Sequence, residues 1–264
     1  MKLCFSTLGC CERSLEDIIA LAKEYGIGAL EIRGISGVLD NTAIEDFSPE
    51  NREKTAEAFR KSRVVPAVLG TSCAFHNADK LDAAIAQGIA SVEIAEALGI
   101  KNIRVFGDRL LQDDEGCTDR VISGIKTICR TSEKVNVLLE VHGDYNTIET
   151  LSPIVEALSA TKNFGLIWDI GHTHAPYGEA WSEFYDFARP YIKHIHIKDG
   201  RVEPKSLTLI GEGEIPIIPI VKRLVADGYD GCFSLEWEKK WHPELPDIKE
   251  GLDSFVSVMS KAEA

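Results

Sequence analysis

Residues 164–174 read Phe-Gly-Leu-Ile-Trp-Asp-Ile-Gly-His-Thr-His, an apolar run that ends in Asp169 and is followed by His172. A strand of a buried parallel sheet is a nearly continuous hydrophobic run, so we predict a strand over residues 164–169. A carboxylate and an imidazole at its downstream end must be solvated, paired or bound to a ligand. This stretch decides the fold because three other runs in the chain end in the same way.

Those three runs also finish in acidic or imidazole side chains. They are Val137-Leu-Leu-Glu140-Val-His142, His194-Ile-His196-Ile-Lys198-Asp199 and Cys232-Phe-Ser-Leu-Glu236-Trp-Glu238. Each combines apolar residues of strand character with residue types that bind metal ions. The chain therefore holds four successive strand-like segments, and each carries a candidate metal ligand at its end.

The rest of the chain alternates strand and helix patterns. Further strands are predicted over residues 2–8, 29–32, 64–70, 102–106, 135–141, 192–197 and 231–237. Helices are predicted between them, including one that starts at Ser48-Pro49 and one that restarts at Ser152-Pro153. Eight strand–helix units, spaced about 33 residues apart without a linker, predict a single α/β domain over residues 1–264, a (β/α)₈ TIM barrel. An open doubly wound sheet usually has a Gly-rich loop after its first strand, and Leu8-Gly-Cys-Cys-Glu is not one.

Composition narrows the class of protein. The chain has 264 residues, of which 44% are hydrophobic and 27% charged, as in ordinary soluble globular proteins. Its formal net charge of −13 argues against a nucleic-acid partner. No apolar stretch approaches the roughly 20 residues of a membrane span, so we expect a cytoplasmic protein without a membrane partner. The seven cysteines show no CxxC spacing and are predicted to be reduced.

The downstream ends of all eight strands of such a barrel face one mouth. Glu140, Asp169, His196 and Glu236 end the last four strands, which are neighbours around the ring. Three carboxylates and one imidazole suit Mn²⁺, Mg²⁺ or Co²⁺, with Zn²⁺ as an alternative. Without a cation these carboxylates repel one another. We therefore expect one divalent ion, with Mn²⁺ favoured.

Four motifs can be compared with known families: Glu140-Val-His142, Trp168-Asp169-Ile-Gly-His172, His194-Ile-His196-Ile-Lys198-Asp199 and Ser234-Leu-Glu236-Trp. Together they resemble the xylose isomerase-like barrel superfamily of sugar isomerases and epimerases, and the resemblance covers essentially the whole chain. It implies that Glu140, Asp169, His196 and Glu236 bind one divalent ion. It also implies that Glu140 and Glu236 form the acid/base pair of a metal-dependent isomerase or epimerase, which works through a metal-stabilised cis-enediolate. The substrate would be a sugar or sugar phosphate.

The resemblance also suggests roles around this centre. His172 matches a position that contacts substrate oxygen and supports the polarised carbonyl, with a structural histidine as the alternative. The residues predicted to bind substrate lie near strand ends, and they are His142, Lys198, His76 and Arg33. Lys198 has the alternative of pairing with Asp199. Arg33 has the alternative of a salt bridge with Glu31 at the barrel mouth.

Three other functions share this type of barrel. The first is a metal-dependent dehydratase like inosose or dehydroshikimate dehydratase, in which the enediolate expels a hydroxyl group instead of being reprotonated. The second, an endonuclease for abasic DNA, needs a histidine on strand 4, where this chain reads Arg104-Val-Phe106-Gly107. The third is a binding module without catalysis. A homo-oligomer is a further expectation, because Trp241-His-Pro after the last strand can cover a neighbour's mouth.

Overall fold

Eight parallel strands close into a barrel in the computed structural model, which describes residues 1–111 and 114–263. In chain order the strands are β1 (Lys2–Ser6), β2 (Ala29–Ile32), β3 (Val65–Ala74), β4 (Asn102–Phe106), β5 (Asn136–Glu140), β6 (Phe164–Asp169), β7 (Ile192–Ile197), β8 (Asp199–Arg201), β9 (Ser206–Thr208) and β10 (Cys232–Leu235). The short strands β8 and β9 form a separate hairpin, and the other strands form the barrel. Each barrel strand pairs with the next, and β10 pairs with β1, Cys232 opposite Lys2, which closes the ring. The predicted (β/α)₈ TIM barrel is confirmed.

Helices cover the outside of the barrel. They are α1 (Leu15–Glu24), α2 (Arg52–Ser62), α3 (Leu81–Leu98), α4 (Cys117–Cys129), α5 (Ile148–Leu158), α6 (Ile170–Tyr177), α7 (Trp181–Ala188), α8 (Ile217–Ala226) and α9 (Ile248–Glu263). Their apolar faces pack on the outward side chains of the strands; for example, the Trp168 ring stacks on Tyr185 at 5.6 Å. None of the helices in the described part of the chain is long and apolar enough to cross a membrane.

Two helices begin at other residues than the sequence predicts. Residues 48–51 form a turn closed by a hydrogen bond from Asn51 N–H to the Ser48 carbonyl (2.9 Å), so α2 begins after them. The predicted restart of a helix at Ser152-Pro153 is also wrong, because α5 begins at Ile148. Thr147 accepts from the backbone N–H of Thr150, and the Thr150 side chain bonds back to the Thr147 N–H. This reciprocal cap satisfies two N–H groups at the helix start.

The interior of the barrel changes from apolar to charged along the strands. Side chains at alternate positions of a barrel strand point inward. Val68, Leu138 and Ile167 form a small apolar cluster of their own, apart from the main core. Two residues further along β5 and β6 lie Glu140 and Asp169, which are also buried. The downstream end of the barrel is therefore a charged pocket on an apolar floor.

Candidate functional site

Four buried side chains converge at the downstream end of the barrel. Glu140 ends β5, Asp169 ends β6, His196 lies near the end of β7, and Glu236 directly follows β10. One ligand atom from each residue lies within 4.8 Å of the others. The structure therefore brings together all four residues that the sequence predicts as ligands of one ion. We call them the four-ligand cluster.

The four-ligand cluster fits a divalent cation. Glu140 Oε2, Asp169 Oδ2 and His196 Nδ1 are buried and have no hydrogen-bond partner among the described residues. A buried polar atom without a partner costs about 1–3 kcal/mol, and more when it is charged. A divalent ion accepts lone pairs from carboxylate oxygens and a ring nitrogen together, so one ion would satisfy the three atoms.

The two oxygens of Asp169 have different partners. Oδ1 accepts hydrogen bonds from the backbone N–H groups of Gly171 (2.8 Å) and His172 (3.2 Å), which caps the first turn of α6. Oδ2 faces the cluster, 3.7 Å from His196 Nδ1. Aspartate is a favoured helix cap. Asp169 therefore ends β6, caps α6 and contributes an oxygen to the cluster.

Glu31 on β2 lies beneath the cluster and is fully buried. Its Oε2 accepts from Nε2 of His194 (3.0 Å) and of His196 (2.8 Å), and Ser234 Oγ lies 3.3 Å away. In its neutral form His196 therefore presents Nδ1 to the cluster, because the other ring nitrogen carries the proton. The expected salt bridge between Glu31 and Arg33 at the barrel mouth is wrong, since Glu31 points inward to these histidines.

Arg104 on β4 supplies positive charge from inside the barrel. Its Nη1 lies 3.0 Å from Glu140 Oε2, 3.5 Å from Glu236 Oε1 and 3.7 Å from Glu31 Oε1. Arg104 is not among the site residues predicted from the sequence. A signal is present in the alternation along β4. Ile103 and Val105 belong to the main apolar core, so the side chain of the arginine between them points to the opposite face of the strand.

Lys198 lies inside the site and is only 6% exposed. Its Nζ lies 2.5 Å from Glu238 Oε1, 2.6 Å from Glu236 Oε2 and 2.8 Å from Asp169 Oδ2. The contact with Asp169 is an ion pair without hydrogen-bond geometry. The alternative expectation, a pair with Asp199, is wrong, because that carboxylate accepts from backbone N–H groups of the following loop. Lys198 therefore places one positive charge beside two members of the four-ligand cluster.

The two glutamates of the cluster differ in proton affinity. Burial raises the pKa of Glu140 to about 8; Arg104 opposes this shift and Glu236 adds to it. Burial also favours the protonated form of Glu236, but Lys198 and His196 hold its pKa below the usual value. Paired groups whose environments separate their pKa values are typical of acid/base sites. Of the two glutamates, Glu140 therefore holds a proton readily in the metal-free site and Glu236 does not.

Two imidazoles lie at the rim of the cluster. The ring centroids of His142 and His172 are 4.3 Å apart, and His172 Nε2 lies 3.8 Å from Asp169 Oδ2. Burial, together with the positive charge of Lys198, lowers the pKa of His172 to about 3 and also lowers that of His142. Both rings are therefore neutral near pH 7 and can donate or accept hydrogen bonds.

Arg33 and His76 make their hydrogen bonds and ion pairs with residues outside the four-ligand cluster. Arg33 donates from Nη1 to the Leu39 carbonyl (3.1 Å) and from Nη2 to Ser72 Oγ (2.9 Å). His76 Nδ1 lies 3.5 Å from Asp108 Oδ2. Of these two predicted substrate-binding residues, Arg33 is buried and feels the charges of Arg104 and Glu140, whereas His76 is partly exposed.

Residues 19–258 match the sequence profile of the xylose isomerase-like TIM barrel family. The chain belongs to this family. A curated relative of this xylose isomerase-like barrel is the uncharacterized protein MJ1311 of Methanocaldococcus jannaschii, 34% identical over 121 residues. That match spans 45% of this chain and 40% of the relative. The resemblance predicted from the motifs is confirmed at the level of the family.

Solved structures share the fold of this xylose isomerase-like barrel over nearly its whole length. The probable 3-DHS dehydratase AsbF of Bacillus anthracis has a TM-score of 0.80 at 17% identity, covering 98% of this chain and 99% of its own. A D-tagatose 3-epimerase-like protein has a TM-score of 0.78 at 22% identity, covering 99% and 97%. The IOLI protein with a bound zinc atom has a TM-score of 0.75 at 21% identity, covering 99% of both chains. These neighbours thus include a metal-binding protein, and their names include a dehydratase and an epimerase-like protein.

Proposed function

We propose that this xylose isomerase-like barrel is a divalent-metal-dependent isomerase or epimerase of sugars or sugar phosphates. The observation that carries the proposal is the convergence of Glu140, Asp169, His196 and Glu236. Three of their buried donor atoms make no hydrogen bond among the described residues, and two of these three have only ion-pair contacts with Arg104 and Lys198. Membership of the family supports it, as does the zinc atom in one structural neighbour. Mn²⁺ is the ion we expect, and the same donors suit Mg²⁺, Co²⁺ or Zn²⁺.

Glu140 and Glu236 would perform the proton transfer. The chemistry that a bound divalent ion supplies is polarisation of a carbonyl and a neighbouring hydroxyl, which acidifies the C–H between them. Glu236, whose pKa is lowered despite its burial, accepts that proton as the base. Glu140 returns a proton as the acid, and the pKa of about 8 that burial gives it applies to the metal-free site. Isomerisation and epimerisation differ only in where the proton returns.

Neighbouring side chains would hold the substrate. The neutral ring of His172 donates a hydrogen bond to the carbonyl oxygen as negative charge develops there. His142, whose ring lies 4.3 Å away, and Lys198 bind hydroxyl or phosphate oxygens of the same substrate. Arg33 and His76, which bond to residues outside the cluster, contact its distal end. The buried position of the cluster limits access of water to the reacting carbons.

The test is deuterium incorporation from D₂O into a panel of sugars and sugar phosphates, preceded by elemental analysis of the bound metal. We expect exchange at the carbon next to the carbonyl, and we expect a chelator to abolish it. Glu236→Gln should keep the fold and lower the exchange rate about 10²–10⁴-fold, the usual contribution of a general base.

Glu156→Gln is the matched control, because Glu156 is exposed on the outer face of α5 and its loss should leave the exchange rate unchanged. Metal content of each variant is measured in parallel, which separates loss of the base from loss of the ion. Exchange that survives the chelator, or a panel in which no sugar exchanges with any of the four metals, would reject the proposed function.

A second candidate is a metal-dependent dehydratase on the same barrel. The observation that favours it is the imidazole pair, because His142 and His172 each bring a ring nitrogen to within 4.8 Å of a Glu140 oxygen. A ring there can protonate a departing hydroxyl group, which the proton-transfer reaction does not need. Proton NMR distinguishes the two reactions, since elimination of water produces an unsaturated or deoxy product and isomerisation produces a sugar of the same mass.

A further inference from the structure

A cleft of about 650 Å³ opens beside the barrel mouth. It lies between the segment after β2, the downstream end of β3 and the first half of α3, and none of the four cluster residues lines it. Its volume is within the range of about 300–1,000 Å³ that small-molecule sites occupy. The cleft is therefore large enough for a ligand group separate from the one that reaches the four-ligand cluster.

The walls of this cleft are small or polar. Alanines form much of its surface: Ala74, Ala83, Ala84, Ala86 and Ala90. Among the described residues that line it there is no Phe, Tyr, Trp, Val, Leu or Ile. A ligand with a large apolar body would gain little from burial here, because the walls offer few apolar contacts. A compact hydroxylated group fits these walls better.

The polar groups on one side of the cleft are held in fixed orientations. Gln87 accepts from Cys73 Sγ (3.4 Å) and donates from Nε2 to Asp40 Oδ1 (3.3 Å). Asp40 Oδ1 also accepts from the backbone N–H (3.0 Å) and hydroxyl (2.8 Å) of Thr42. Asp40 Oδ2 and the second N–H of Gln87 have no protein partner within the described residues. The cleft thus presents one oriented acceptor and one oriented donor to a ligand.

Charge in the cleft also limits the kind of ligand. Partial burial raises the pKa of Asp40, but the hydrogen bonds from Thr42 and Gln87 lower it more, so the carboxylate is ionised at neutral pH. Lys80 also lines the cleft and carries the opposite charge. One negative and one positive side chain leave no excess of positive charge for a phosphate group. The ligand is therefore expected to be neutral.

Two contacts connect the cleft to the candidate catalytic centre. Ser72, which lines the cleft, accepts from Arg33 (2.9 Å), so its own hydroxyl hydrogen remains available. His76, on the same wall, lies 3.5 Å from Asp108, and the other oxygen of Asp108 lies 3.9 Å from His142. A substrate that extends from the cluster past His142 would therefore enter the cleft.

We propose that this cleft binds a second, neutral sugar ring, so that the substrate is a glycoside or disaccharide with a ketose at one end. The hydroxyl groups of the second ring would bond to Asp40, Gln87 and Ser72, and its flat face would lie on the alanines. This inference rests on the proposed function for the ketose ring. It differs from that function in assigning the distal half of the substrate to a separate set of side chains.

The first test measures binding without catalysis. Saturation-transfer NMR on the Mg²⁺-loaded protein uses lactulose, maltulose and isomaltulose as probes. We expect saturation of protons in both rings of at least one probe. Ala86→Trp places an indole in the cleft and should remove the signal of the aldose ring. Ala97→Trp, on the exposed side of the same helix outside the cleft, should leave it. The absence of an aldose-ring signal in the native protein, or its persistence in Ala86→Trp, overturns the inference.

The second test measures preference. Deuterium exchange into the same disaccharides should have kcat/KM about tenfold higher than exchange into fructose, because binding of a distal ring contributes to the transition state. Ala86→Trp should reduce that ratio to about one, and Ala97→Trp should not change it. Equal rates for fructose and all three disaccharides in the native protein overturn the inference. If no sugar exchanges, the proposed function fails, whereas the NMR result still decides whether the cleft binds a sugar ring.

Discussion

Glu31 determines which nitrogen of His196 faces the four-ligand cluster. The 2.8 Å hydrogen bond from His196 Nε2 fixes the ring orientation and leaves Nδ1 toward the carboxylates. Glu31→Gln keeps the side-chain volume but removes the negative charge that holds the imidazole. Partners of this kind contribute about 10–100-fold to metal affinity. We expect the Kd for Mn²⁺ to rise by that factor in a competition titration with a chelator.

Ser234→Ala is the control for Glu31→Gln, because it removes only the longer 3.3 Å contact to the same oxygen. Its Kd should stay close to that of the native protein. Nitrogen-15 NMR of the imidazole gives a second measurement, since loss of the Glu31 charge should change the tautomer of His196. An unchanged Kd together with an unchanged tautomer would show that Glu31 only fills space.

Arg104 compensates the charge of buried carboxylates before any cation binds. Its Nη1 lies 3.0 Å from Glu140 and 3.5 Å from Glu236. Removal of one partner from a buried ion pair costs about 3–5 kcal/mol, because the other charge stays buried without compensation. Arg104→Met should lower the free energy of unfolding of the metal-free protein by that amount in urea titrations, and Mn²⁺ should recover part of the loss.

The control for Arg104→Met is Arg60→Met. Arg60 forms ion pairs with Glu53 and Glu57 on the surface of α2, where its side chain is 58% exposed. Exposed pairs contribute little to stability, so this variant should unfold at nearly the same urea concentration as the native protein. A similar small effect for Arg104→Met would mean that water or protonation already neutralises the buried carboxylates.

At the scale of the elements, the loop after β7 depends on one side chain. Asp199 accepts from four backbone N–H groups, those of Gly200 (2.8 Å), Gly211 (2.8 Å), Gly213 (3.0 Å) and Ile215 (3.2 Å). Hydrogen bonds to a charged group contribute about 1.5–3 kcal/mol each in isolated cases. Asp199→Ala should therefore destabilise the protein by at least about 3 kcal/mol and loosen the β8–β9 hairpin. Trypsin should then cut faster after Arg201.

Asp186→Ala provides the comparison for this loop. Asp186 pairs with Arg223 on the surface of the helical layer and is largely exposed, so its loss should alter neither the unfolding midpoint nor the rate of cleavage. Mass spectrometry of the first fragments identifies the cleaved bond. Equal cleavage rates in Asp199→Ala and the native protein would show that the β8–β9 pairing holds the loop without the carboxylate.

The strands were more predictable than the helix starts. Strands 102–106 and 192–197 are confirmed at both ends, because apolar runs between polar residues have clear limits. The start of α2 was wrong because a Ser-Pro pair suits a turn as well as a helix start. The prediction lacks α6, because it assigns Asp169 only as a ligand, although an aspartate followed by Gly171 and His172 can also cap a helix. The sequence alone does not decide whether an aspartate at the end of a strand is a metal ligand, a helix cap or both.

At the scale of the whole molecule, barrel topology explains which parts of the site were predictable. A closed parallel barrel brings the ends of neighbouring strands together, so four acidic or imidazole side chains at those ends had to converge. The alternation in β4 places Arg104 inward, but the inward position of Glu31 was not predicted, because it depends on which face of β2 points into the barrel. That choice follows from strand register, and β2 shifts register against β3 between Leu30 and Glu31.

The barrel also encloses most of its thiols. All seven cysteines are free, as the sequence predicts, and only Cys232 is more than slightly exposed. Burial raises the pKa of Cys10 and Cys129 to about 12, whereas a hydrogen bond with Cys4 lowers that of Cys232. The thiolate is the reactive form. Near pH 8 the native protein should therefore react at one thiol with Ellman's reagent, and at the others only after unfolding.

Cys232→Ser should remove that fast reaction, and Cys129→Ser should not. Reaction of several thiols in the native protein at the same rate would show that the barrel opens more often than its packing suggests.

Self-association of the chain stays a separate prediction. Trp241 is 54% exposed after β10, and sedimentation as a monomer at micromolar concentration would exclude the proposed contact with a second copy.

Because Asp169 caps α6, binding of an ion at the cluster can be detected at the backbone of this helix. One oxygen of the carboxylate fixes two backbone amides, and the other belongs to the cluster. An ion that draws this side chain inward must therefore change the protection of the Gly171 and His172 amides against solvent exchange. Occupancy of the centre can be followed at these two backbone positions in the absence of any substrate.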